Sequence, residues 1–428
     1  MGPSERTMKS RAWYPILTVG VSMVGFIAIK TGRDAVFFSS GGLKQLPLAY
    51  IFIAIASVPA AMMHLKAIEW WGARKVRTGV FLVAALTFVC FAPFVDPKHR
   101  ALMLGLFVLV PSLFAAVFAG AWLLAGDLLE GADSHITRWA YTRIGAASIL
   151  GGMIGGFLAK GLSVFLAPRF LVASGAAMLV IAAWLSSQAH KKHPVEHFAS
   201  TSSKKAENPN SMLGAPSREL IKQPYVLALF GISALAALVA LYIDFQFYAM
   251  ATIDGKNQAQ FFANFYILLN AASLGLQLIV TPWLQSRFGV GGALMVFPTV
   301  LFGITGVVSF TTTILSRAVL RVTEGGLKAS IHRSTWEQAF LPINGEKRAM
   351  AKTLVDGAVA RISEGIGAAV LSVWLKSLKT SLTASQLAWI SWVILGAILL
   401  WVIFTKYLVR IGCKDIHPGD DLIRLPDS

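Results

Sequence analysis

Apolar residues run along this chain in blocks separated by short polar breaks. Each block holds about twenty residues, the length at which a helix crosses a hydrocarbon layer of ~30 Å. Lipid offers the backbone no hydrogen bonds, so a spanning segment must satisfy its own N–H and C=O groups, and helices of this length do so. The expected fold class is therefore an all-α polytopic membrane protein. Composition agrees, because 56% of residues are hydrophobic and only 14% charged, against about a quarter charged in soluble domains. A soluble enzyme is excluded on that ground. The 38 Lys and Arg outnumber 21 Asp and Glu, giving a formal charge of +17. Those basic residues fall mostly in the breaks, where they act as topology signals, and no nucleic-acid partner is expected.

Spans are expected near 13–34, 46–64, 77–95, 101–125, 141–166 and 168–189, then near 224–250, 260–284, 289–309, 311–328, 353–376 and 386–409. A polar stretch, 190–223, lies between the two sets and reads as a cytoplasmic linker. A second polar stretch, 329–352, reads as a cytoplasmic segment. The first block follows Arg6, Lys9 and Arg11 but is too long for a signal peptide and has no small-x-small cleavage site, so it reads as a retained helix. With both termini and the linker in the cytoplasm, 24 Lys and Arg lie on that side against 8 on the other. That excess sets the orientation. Cys90 and Cys413 form no disulfide framework or metal-ligand pattern.

The two halves carry weak internal similarity. The turn after the second block runs from Leu65 through Glu69, Gly72 and Arg74 to Lys75, and that after the eighth runs from Leu284 through Arg287 to Gly289. Tyr50 and Tyr266 precede those glycines at nearly the same spacing. Related six-helix halves mark carriers built from repeats, with the solute site between them near the midplane. The expected architecture is twelve transmembrane helices in two pseudo-symmetric six-helix bundles, residues 1–189 and 224–428, which is the major facilitator fold.

Charged groups at membrane depth are costly and face a partner or a wet cavity. In the tenth span Arg317, Arg321, Glu324 and Lys328 recur at i, i+4, i+7 and i+11, so they share one helical stripe. Glu324 and Lys328 are expected to pair, leaving the donors of Arg317 and Arg321 free for an anion. Lys30, Arg33 and Asp34 put both charge signs on one turn at the end of span one. Asp244 lies deep in span seven, as a cation or proton site or as the partner of an arginine. Tyr266, Asn270, Ser273 and Gln277 repeat the same spacing in span eight, as ligand contacts or as interhelical hydrogen bonds. Asp356, Arg361 and Glu364 do not share a face in span eleven. The chain contains no phosphate-binding G-x-x-x-x-G-K-[ST] loop, nucleophile elbow or zinc helix. No catalytic residue, metal or cofactor is expected.

Several of these segments resemble the bacterial relatives of the ATP/ADP translocases, a nucleotide transporter family within or near the major facilitator superfamily. The resemblance rests on Arg33-Asp34, on the run Leu241 to Phe247 around Asp244, and on Lys328-Ala-Ser330, Glu337 to Pro342, Glu346 to Arg348 and Lys352 to Asp356, in that order. The turn from Glu69 to Lys75 is similar to the major facilitator signature loop, with Glu69 where an Asp is usual and Ala73 breaking the pattern. Three charges that the family carries are missing or reversed. The span-four acid is absent near Val110, a lysine is replaced by Met295 before Pro298, and another falls at Glu364.

The resemblance implies a secondary active transporter of a small anionic, nucleotide-like metabolite, of the ATP/ADP exchange type. Arg33, Arg317, Arg321, Tyr266, Asn270 and Gln277 would bind substrate. Asp34, Asp244, Glu324, Lys328, Glu69 and Arg74 would couple or gate. The partners implied are the lipid bilayer, the solute and a coupling proton or counter-substrate. Two alternatives stay open: a proton-coupled exporter of a neutral or cationic compound, and a scaffold or sensor subunit that transports nothing.

Overall fold

The computed structural model describes residues 3–129, 134–192, 223–254, 258–311, 313–340, 342–343, 351–378 and 383–413. Most of the expected linker, 193–222, lies outside them, as do 344–350 of the expected cytoplasmic segment and the tail from 414. The described chain is almost wholly helical and contains no strand.

Among the described residues the longer helices are α1 (Pro3–Ser39), α2 (Leu46–Trp71), α3 (Ala73–Phe91), α4 (Arg100–Leu128), α5 (Ser134–Phe165), α6 (Pro168–Lys192), α7 (Pro224–Asp254), α8 (Gln258–Gly275), α9 (Thr281–Ser309), α10 (Ile314–Leu327), α11 (Ala360–Ser377) and α12 (Ala384–Leu408). Ten stretches within the described residues are long and apolar enough to cross a membrane, and the protein is an integral membrane protein. The second and tenth expected spans are the two missing from that set. In α2 the qualifying apolar stretch is only Gly42–Ser57. Helix α10 has only 14 residues and carries three charges of the stripe, Arg317, Arg321 and Glu324, each of which raises the cost of a lipid-facing position.

The chain divides into two compact units, one of residues 1–196 with 254–274 and the other of 197–253 with 275–428. In the first, α1 is central and packs on α4, α5 and α6. Small residues allow the close approach: a Cβ added to Gly151 of α5 would stand 2.2 Å from the carbonyl oxygen of Gly20, and one added to Gly155 would stand 2.7 Å from that of Val24. Without a hydrophobic force between helices in lipid, such backbone proximity supplies the packing energy. Helix α8 belongs to this unit, where Asn270 lies against Gly152 of α5. In the second unit α9 packs on α10 and α12.

The paired turns singled out above share a backbone feature. Gly72, between α2 and α3, has φ 80°, and Gly289, a break inside α9, has φ 63°. Side chains with a Cβ rarely adopt that region, so each glycine is what permits its turn.

Candidate functional site

The second unit gathers the charges of α7 and α10. Thr313 caps α10, its hydroxyl accepting from the Ser316 N–H, and the stripe begins one turn later. Its members differ in depth. Arg317 is 1% exposed and Glu324 is buried, the Arg321 side chain is 14% exposed, and that of Lys328 is 53% exposed. Arg321 forms ion pairs with both Asp244 of α7 and Glu324. Lys328 Nζ stands 3.7 Å from the other Glu324 oxygen. Two cations and two carboxylates thus form one network.

The expectation that Arg317 and Arg321 keep free donors is corrected on this point. Arg317 Nη1 donates to Val308 O at 3.2 Å and to Ser391 Oγ at 3.0 Å, and its Nη2 donates to Thr311 O at 2.9 Å. Ser391 of α12 also receives Gln246 Nε2 of α7 at 2.9 Å, and the same nitrogen donates to Leu387 O at 2.6 Å. A buried guanidinium left without partners would cost several kcal/mol, on the order of what breaking a buried pair costs, and the carbonyls at the α9–α10 turn are the nearest acceptors. Arg317 therefore clamps α9, α10 and α12, whereas Arg321 is held by ionic partners that a ligand can replace.

Directly after the stripe the helix widens into a π segment, Lys328–His332, and another, Thr353–Val359, leads into α11. Such bulges are frequent at functional sites. Around them Trp336 Nε1 donates to Asp356 at 2.8 Å, Ser233 Oγ donates to Val355 O at 2.9 Å, and Tyr225 Oη donates to Ala339 O at 2.6 Å. In α11 Arg361 pairs with Glu364 at 2.7 Å, so the acid that stands in place of a family lysine is neutralised by its neighbour.

The first unit holds a second network. Asp34 is completely buried; its Oδ1 accepts from Arg33 Nε at 2.7 Å and Nη2 at 2.5 Å, and its Oδ2 accepts from Tyr266 Oη of α8 at 2.5 Å. Arg33 also donates to Phe107 O at 3.4 Å and stacks on that ring, 4.0 Å from its centroid. Lys30 Nζ lies 4.6 Å from the Tyr266 ring centroid. Arg33, Asp34 and Tyr266 are thus brought together from α1 and α8. Asn270 Nδ2 donates to Tyr266 O at 2.7 Å and Ser273 Oγ to Leu269 O at 2.7 Å, so both serve their own helix. Gln277 lies past α8 in the π segment Leu276–Val280, with its Oε1 buried and unpartnered among the described residues.

Glu69 and Arg74 flank the Gly72 turn, but their side chains lie outside the described residues. One pair went unread in the sequence: Arg77, buried in α3, bonds Asp127 near the end of α4. The available signal was an arginine standing at the first position of the expected block 77–95.

Residues 318–410 match the family model of the TLC ATP/ADP transporters. That stretch begins just after Arg317 and contains Arg321, Glu324, Lys328 and Glu364. No curated protein matches the chain in sequence. Among solved structures, an Asp-to-Ala mutant of the nucleoside transporter NupG is similar over 93% of this chain and 99% of its own, with a TM-score of 0.69 and 13% identity. The crystal structure of NupG without that substitution is similar over 96% and 100%, with a TM-score of 0.58 and 13% identity. At that identity the likeness is one of fold, and the fold is major-facilitator-like.

Proposed function

We propose that the chain is a secondary active transporter of a nucleoside- or nucleotide-type metabolite, moved by alternating access between two six-helix halves, residues 1–189 and 224–428, joined by a cytoplasmic linker. The reading counts α2 and α10 as spans, making twelve, in a bacterial inner membrane with both termini cytoplasmic. The observation that carries it is Arg321, a guanidinium held by Asp244 and Glu324 inside the stretch that matches the ATP/ADP transporter model. Charges at such positions mark solute or ion pathways. An anionic solute exchanges with the two carboxylates for the guanidinium, and Lys328, half-exposed and 3.7 Å from Glu324, is the second cation available to it.

The remaining roles complete this reading. Arg33, Tyr266, Asn270, Arg317 and Gln277 stay assigned to the substrate path, with Arg317 shaping it through the clamp described above. Asp34, Asp244, Glu324 and Lys328 couple or gate, and Glu69 and Arg74 gate at the Gly72 turn. Because the cations and acids of the α7–α10 network balance, a solute of low charge fits it better than a polyphosphate. The description of NupG as a nucleoside transporter supports that end of the range.

Counterflow into proteoliposomes preloaded with unlabelled solute tests this, using labelled nucleosides, nucleoside monophosphates and ATP or ADP in parallel. Accumulation of one of these classes is expected, falling at least tenfold in Arg321→Ala. Absence of counterflow for all of them, or an unchanged rate in Arg321→Ala, would sink the assignment.

A second reading, proton-coupled export of a neutral or cationic compound, draws on Asp244, an acid within α7 that pairs with Arg321. Efflux driven by a pH gradient with no counter-substrate would favour it.

A further inference from the structure

A cleft of about 780 Å³ lies between α2, α3 and α4, wholly within the first unit and apart from both charge networks. Of its lining residues only His64, Lys75 and Ser112 are polar, and the Ser112 hydroxyl already donates to Val108 O at 2.8 Å. Along α2 the lining runs from Trp71, beside the Gly72 turn, to Ala56. At 1.5 Å per residue that is a length of ~22 Å. Half of a bilayer ~40–45 Å thick is about the same, so the cleft spans one leaflet, headgroup level included, and ends near the midplane.

Polar groups are graded along this length in a meaningful order. Lys75, exposed, stands at the turn end. His64 lies two turns deeper, half-buried on the wall. Beyond it, apart from the satisfied Ser112, the walls are apolar, and at Gly79 a Cβ would meet nothing within 4 Å. A cation at headgroup depth, an imidazole at the depth of the glycerol esters and an apolar slot toward the midplane match the parts of one molecule. We propose that this cleft is a binding site for an anionic glycerophospholipid of the leaflet on the side of the Gly72 turn. Lys75 pairs with its phosphate, His64 donates to an ester carbonyl, and an acyl chain fills the slot over Gly79. An apolar solute would use neither polar group, and a zwitterionic lipid would gain less from Lys75. The site is independent of the transport reading and requires only that the protein sit in a bilayer.

Native mass spectrometry of the full chain, exchanged from detergent into equimolar phosphatidylglycerol and phosphatidylcholine with identical acyl chains, tests the proposal. One retained phosphatidylglycerol per chain is expected, at least threefold over phosphatidylcholine. Lys75→Glu should abolish that preference, and His64→Ala should weaken retention of both lipids. Gly79→Phe, filling the slot from α3, and Ala60→Phe, filling it from α2, should each remove the bound lipid while melting temperature and monodispersity report that the variant has folded. Equal retention of the two lipids by the unsubstituted protein, or undiminished phosphatidylglycerol in whichever filling variant folds, would overturn the site. A preference that persists in Lys75→Glu would overturn it equally.

Discussion

Tyr266 donates its phenol hydroxyl to Asp34 at 2.5 Å across 232 positions of sequence, and with Arg33 it leaves both oxygens of a fully buried carboxylate bound. The two residues come from helices on opposite sides of the linker, yet both lie in the first compact unit. A helix from the second half of the chain thus completes the hydrogen bonding of an acid in the first.

Removing the phenol oxygen tests that dependence. Tyr266→Phe keeps the ring under Lys30 but removes a hydrogen bond to a buried carboxylate, and hydrogen bonds to charged groups are worth about 1.5–3 kcal/mol. A lower melting temperature in detergent is expected. Asp34→Asn should cost more, because it removes the carboxylate charge that pairs with Arg33, and breaking a buried pair costs about 3–5 kcal/mol.

Arg317 and Arg321 should separate experimentally. Arg317→Lys removes the fork that reaches Val308 O, Thr311 O and Ser391 Oγ together, and a single ammonium cannot replace that planar geometry. Loss of yield and melting temperature is expected. Arg321→Lys keeps a charge between Asp244 and Glu324, so thermal stability should change little while the solute concentration for half-maximal counterflow rises.

A double-mutant cycle on Arg321→Ala and Asp244→Asn measures the link between α7 and α10. Residues sharing an ion-pair network couple by about 0.5–3 kcal/mol, and the partial exposure of both side chains, 14% and 22%, favours the lower part of that range. Additive effects on unfolding would remove Asp244 from the network.

Helix α5 offers a contrast between glycines. Gly151→Ala places a methyl 2.2 Å from the Gly20 carbonyl oxygen, which backbone cannot yield cheaply, whereas Gly145→Ala meets nothing within 4 Å. Overpacking typically costs about 1–3 kcal/mol. Thermal melting should fall in the first variant and stay level or rise in the second.

Gly72→Ala and Gly289→Ala should each cost on the order of 1 kcal/mol or more, since φ at these positions is 80° and 63° and alanine there is strained. Comparing the two melting temperatures with that of Gly303→Ala, a helical glycine with open space around it, isolates the backbone contribution.

How far the site could be read beforehand differs between its parts. The stripe on α10 was legible because helical phase is a local property: four charges at i, i+4, i+7 and i+11 must share a face wherever the helix packs. Asp244 as the partner of an arginine was one of two readings, and only the tertiary ion pair between α7 and α10 selects Arg321. The freedom expected for Arg317 was overruled by carbonyls at the α9–α10 turn and by Ser391, which no spacing connects to it. Glu364 read alone as a reversed charge, whereas it pairs with Arg361 three positions earlier.

Membrane helicity, the position of most spans and the polar face of α10 followed from hydropathy and period, because each depends on residues a few positions apart along one helix. Partner choice did not, because it depends on the relative rotation and depth of two helices. Asp34 with Tyr266 and Arg77 with Asp127 exist only once their helices have been brought side by side, and Gly151 meets Gly20 only because neither carries a side chain to hold the backbones apart.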